Sequence, residues 1–109
     1  MSEYTPDKWL VVKLSSDEGI HYRVFGSWYG GYLGSDHWQM NSGIVKVTLT
    51  DKYYEFEGTS GSIYRCYLEH YGIHSFGSSV LRSMTERHKP KLIMSVMDEE
   101  TDFTRLELS

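Results

Sequence analysis

Trp9-Leu-Val-Val-Lys-Leu14, Ser15-Ser-Asp-Glu-Gly19 and Ile20-His-Tyr-Arg-Val-Phe-Gly-Ser27 follow one another without interruption. An apolar run, a cluster of turn formers and a second run of period two together spell a β-hairpin. In the returning run Ile20, Tyr22, Val24 and Gly26 share one face, and His21, Arg23, Phe25 and Ser27 share the other. That is the alternation of a half-buried strand, with His21 and Arg23 towards solvent.

The period resumes downstream. Ile44 to Thr50 places Val45, Val47 and Leu49 inward and Lys46 and Thr48 outward. Asp51-Lys52 is a turn candidate, and Tyr53 to Glu57 puts Tyr54 and Phe56 on the inner face. Gly58-Thr-Ser-Gly-Ser62 is the clearest turn in the chain. Beyond it, Ile63 to Glu69 aligns Tyr64, Cys66 and Leu68. One helix is expected at 78–88, where Val80, Leu81, Met84 and His88 share a face, Ser78 or Ser79 caps the start and Lys89-Pro90 ends it. Leu92 to Met97 is uniformly apolar and predicts a central or doubly covered strand. Phe103 to Leu108 is expected as a last strand, the alternative being an anchor that sets Phe103, Leu106 and Leu108 on the core. The fold class that results is mainly β with one helix, an antiparallel meander forming a small barrel or half-barrel, in a single domain over residues 1–109.

Composition agrees. Alanine is absent, and nine Tyr, four Phe and three Trp among 109 residues favour strands over a helix bundle. Fifteen acidic against eleven basic side chains give a net charge of -4, which opposes non-specific attraction to nucleic acid. Residues 1–20 hold only the short apolar run Trp9 to Val12, so neither a secretory signal nor a membrane span is expected. One cysteine excludes an intrachain disulfide, and a cytoplasmic location follows as the default.

Motifs for chemistry are weak. Cys66, His70 and His74 recur at intervals of four, the best metal-like pattern present, but Gly72 interrupts it and Cys66 falls on the expected core face. Ser35, Asp36 and His37 are adjacent, and adjacent residues do not form a nucleophile relay. The glycines at 26, 30, 31 and 34 match no phosphate-binding loop. Asp98, Glu99, Glu100 and Asp102 lack the glycine and spacing of a calcium-binding hand. No metal, cofactor or catalytic residue is assigned from these patterns.

Phe25 to Gly43 is different in kind. It holds five aromatic rings and five glycines in nineteen positions, a combination of large contact area and close backbone approach. Trp28, Tyr29, Tyr32, His37 and Trp38 are therefore the candidate contact residues for a protein or small-molecule ligand, in a non-enzymatic binding or assembly module. The competing expectation is a small enzyme or metal-binding protein that uses His37, or His70 with His74, in an aromatic-lined pocket. So many rings and sheet edges in a short chain also predict a two-fold homodimer, with Trp28, Tyr29 and Tyr32 at or near its interface.

Phe25-Gly-Ser-Trp-Tyr-Gly-Gly-Tyr-Leu-Gly-Ser-Asp36 and Met40-Asn-Ser-Gly-Ile44 resemble a family of small proteins found among tailed phages of marine bacteria. The resemblance implies a phage gene product in the host cytoplasm. It carries no activity, cofactor or site residue with it.

Overall fold

The apolar run that begins at Trp9 is the middle of the molecule. The computed structural model describes residues 3–28, 37–73, 75–88, 92–106 and 108. Its elements are β1 (Glu3–Tyr4), β2 (Lys8–Ser16), β3 (Gly19–Trp28), β4 (His37–Met40), β5 (Ile44–Leu49), β6 (Tyr53–Gly58), β7 (Ile63–Tyr67), α1 (Ser75–His88) and β8 (Ile93–Val96). Short 3₁₀ turns occupy Leu68–His70 and Phe103–Arg105. The strands form two four-stranded sheets, β1-β7-β6-β5 and β4-β3-β2-β8, which stay open instead of closing into a barrel. Every described pairing within them is antiparallel except β1 with β7.

Three layers follow from where β2 points its side chains. Trp9 and Val11 join Val24 against Ile44, Tyr54, Phe56, Tyr64, Cys66 and Phe103 in the core between the sheets. The alternate residues Leu10, Val12 and Leu14 join Phe25 beneath Leu81, Val80 and Met84 of α1. A strand covered on both faces has no need of polar alternation, which is why Trp9-Leu-Val-Val reads as a continuous apolar run. Phe25 and Ser27, on the β3 face expected to meet solvent, are each only 1% exposed, Phe25 because it packs beneath Leu81 of α1.

The turns obey local chemistry. Gly19 closes the β2–β3 hairpin opposite Ser16 at φ 125°, a backbone angle that L side chains rarely adopt. At Asp51-Lys52 no glycine is required, because the Thr50 hydroxyl accepts the N–H groups of Lys52 and Tyr53 and so holds the turn. The outcome matches the expected hairpin.

Five expectations are corrected. In β5 the register shifts between Ile44 and Lys46, so Ile44 rather than Val45 enters the core and Val45 is exposed; Val47 and Leu49 keep the inner face opposite Phe56 and Tyr54, but Leu49, at the end of the strand, is 46% exposed. Leu68 leaves the inner face because the chain turns into the 3₁₀ segment directly after Tyr67. Leu92 to Met97 forms an edge strand rather than a central one, with Ile93 59% and Val96 49% exposed. The described residues of the tail make no strand; their 3₁₀ turn, with Asp102 accepting the Thr104 N–H, anchors Phe103, Leu106 and Leu108 on the core. The helix begins three residues before Ser78, at Ser75.

Burial sets a pH limit on this fold. The Tyr64 and Tyr71 phenols are pushed up to about 12, chiefly because the core disfavours their anions, and burial raises the Cys66 thiol well above its usual value. In the unfolded chain the thiol and phenols ionise at their ordinary values, near 9.0 and 10.0. Stability is therefore complete below those values and falls as pH rises towards about 12, while only the unfolded state releases protons. Urea denaturation at a series of pH values across that window is expected to show a falling midpoint, and a flat profile contradicts it.

Candidate functional site

β3 and β4 present the aromatic segment, and their register divides it. Phe25 pairs with Met40, Gly26 with Gln39, Ser27 with Trp38 and Trp28 with His37. Paired residues share a face and neighbours alternate, so Trp28 and His37 lie on the side of the opposing sheet and Trp38 lies on the side of α1. The five candidate residues therefore do not form one surface. Tyr29 and Tyr32, like Ser35 and Asp36, fall outside the described residues.

Trp28 is built into the fold. Its ring lies flat on His37, with centroids 4.9 Å apart and planes 1° from parallel, and meets Tyr4 edge-on at 6.4 Å. The indole N–H donates to the Thr5 carbonyl at 3.0 Å. Gly26 belongs to the same arrangement: a Cβ there would stand 2.9 Å from the Pro6 Cβ, and Pro6 is fully buried. A proline ring cannot swing aside. Gly26→Ala is expected to destabilise the protein by about 1–3 kcal/mol through overpacking, read as a shift in urea midpoint; a neutral substitution would mean that the 3–6 segment is loosely held.

Trp38 is presented outward. It stacks on Phe25 at 5.5 Å with planes 10° apart and keeps 38% of its surface exposed. Beside it, Val80, Ser83, Met84 and Arg87 of α1 complete a groove of about 350 Å³. The helix leaves a second groove on its other flank, about 260 Å³, floored by Val12, Leu81, Met94 and Val96 and walled by Arg82 and Glu86.

Asn41 holds the end of β4 in place. Its N–H donates to the Val24 carbonyl at 3.0 Å and its Oδ1 accepts the Val24 N–H at 2.9 Å, so a side chain completes the ladder where the main chain departs for β5. Only 3% of the residue is exposed. Its Nδ2 is buried with no hydrogen-bond partner among the described residues. The sequence signal was Asn41-Ser-Gly43 after a strand, which reads equally as an ordinary turn.

The metal-like pattern comes apart. Cys66 is fully buried between the sheets, whereas His70 is exposed in its 3₁₀ turn, near Tyr67 and beside a cavity of about 340 Å³ that Asp51 and Glu69 also line. His74 lies outside the described residues. Among the described residues no three His, Cys, Asp or Glu side chains converge as metal ligands would. In the acidic stretch, Asp98 accepts the Glu100 N–H and Asp102 accepts both the N–H and the hydroxyl of Thr104, so these carboxylates shape turns. No described helix is long and apolar enough to cross a membrane.

No protein-family model matches this chain, and no curated protein or solved structure shows significant similarity to it.

Proposed function

We propose that this chain is a non-enzymatic binding module that uses the 25–43 segment through its Trp38 face, with Trp38 as the ring that meets the ligand. The observation that carries the reading is the Trp38 groove: an indole fixed from below by Phe25, still 38% exposed, beside a helix flank that offers Met84 and Val80 as apolar contacts. A ring held flat by another ring loses little conformational freedom on binding, which is the property that makes Trp effective at contact sites. Arg87 stands at the same groove, so an apolar or aromatic group bearing a carboxylate is the ligand chemistry that fits, whether on a small molecule or on a protein side chain.

Phenylacetate and its neutral counterpart phenylacetamide test this, with the Trp38 indole N–H cross-peak as the readout. Both are expected to shift that peak saturably, the acid more tightly. Arg87→Ala is expected to weaken the acid about tenfold, the worth of one charge-assisted hydrogen bond, and to leave the amide unchanged. A Trp38 peak that moves with neither probe overturns the proposal.

A further inference from the structure

Leu92-Ile-Met-Ser-Val-Met97 has the composition of an interior strand, yet β8 is the last strand of its sheet. Ile93 and Val96 are 59% and 49% exposed. Other edges are defended in familiar ways: β1 is two residues long, and β5 is bulged and carries Lys46. β8 has no charge, no proline and no bulge.

From this conflict we infer that β8 pairs with β8 of a second copy of the chain, antiparallel about a two-fold axis, and joins the two β4-β3-β2-β8 sheets into one. The hydrogen-bonding phase supports it. Met97 donates its N–H to the Val11 carbonyl at 2.9 Å. With Ser95 opposite Lys13 and Ile93 opposite Ser15, the odd-numbered residues address β2. Met94 and Val96 therefore turn their N–H and C=O groups outward.

A two-fold axis at Ser95 satisfies these groups reciprocally, Met94 with the second copy's Val96 and Val96 with its Met94. Ser95 meets its own equivalent at the closely spaced central pair, where a small side chain fits. On the same face Ile93 meets the second copy's Met97, so the exposed apolar side chains on both faces of β8 acquire apolar cross-strand partners. Charge is self-complementary as well. Arg82 and Glu86 of α1 together wall the groove over Met94 and Val96, so a two-fold axis that sets two such grooves side by side brings each Arg82 towards the second copy's Glu86. This interface lies at the opposite edge of the sheet from β4 and Trp38, and the inference does not rest on the ligand groove.

Sedimentation velocity of the full chain across a concentration series is the test, combined with amide exchange at Met94 and Val96. The parent is expected to sediment as a dimer, with both amides slowing as concentration rises. Val96→Lys and Ile93→Lys, each at an exposed position, are expected to weaken association by tenfold or more while the circular dichroism stays that of the parent. Arg82→Glu is expected to weaken it about fivefold, the weight of the two symmetry-related rim ion pairs, and Arg82→Glu with Glu86→Arg to restore it. A parent of single-chain mass up to millimolar concentration overturns the inference. So does a dimer that survives both lysine variants, or one whose Met94 and Val96 amides exchange no more slowly than in the monomer.

Discussion

Trp9→Ala is expected to cost about 4 kcal/mol of stability, the upper range for deleting a buried aromatic side chain. The indole is 1% exposed and stands at the centre of a ring cluster: Tyr71 at 4.7 Å, Phe56 at 5.6 Å, Phe103 at 5.8 Å and Tyr54 at 6.0 Å. Its N–H also donates to the Tyr67 carbonyl at 2.7 Å, tying β2 to the end of β7 in the opposing sheet. Alanine at this position removes the packing from both sheets and leaves that carbonyl without its donor.

Trp9→Phe separates the two contributions. It keeps a ring in the cluster but loses the N–H, and is expected to cost about 1–3 kcal/mol. Urea denaturation gives both values. A Trp9→Ala variant within about 1 kcal/mol of the parent would mean that the two sheets do not share one cooperative core.

The position of Trp9 was legible in outline and its importance was not. Alternation over Ile20 to Ser27 and Tyr53 to Tyr67 revealed the strands because each has one face that differs chemically from the other. It revealed less about which strand lies deepest. Trp9 to Leu14 and Leu92 to Met97 are equally apolar, and covering is decided by what packs against a strand, which no local period records. α1 lies across β2, and β8 is left at the rim. The β5 bulge was invisible for a similar reason: one unpaired residue changes which side chains point inward without changing composition.

The candidate site shows the same boundary. Ring density identified the 25–43 segment, but density carries no register. Once β3 and β4 pair, Trp28 and Trp38 are directed to opposite faces, one tied to Thr5 and the other open beside α1. Cys66 and His70 separate because strand β7 ends between them.

Phe103→Ala is the second large effect, expected at about 3–4 kcal/mol, and it distinguishes an anchored tail from a surface ornament. The described residues around Phe103 belong to neither sheet. Its ring is nevertheless 1% exposed, 5.3 Å from Tyr54, 5.8 Å from Trp9, 5.9 Å from Phe56 and 6.0 Å from Tyr71. The turn that delivers it is fixed by Asp102, which accepts the Thr104 N–H at 3.1 Å, and by the Phe103 N–H, which donates to the Tyr54 hydroxyl at 3.4 Å. Removing the ring leaves a cavity bounded by four other aromatic side chains, and rigid rings close a cavity less well than aliphatic ones. Arg105, two residues on, pairs with Asp102 at 3.3 Å but is solvent-exposed, so Arg105→Ala is expected to change stability by less than about 0.5 kcal/mol. Thermal and urea unfolding of the two variants side by side settle the matter: equal, small effects would make the tail dispensable, whereas a large loss confined to Phe103→Ala makes the last segment of the chain part of the core that Trp9 organises.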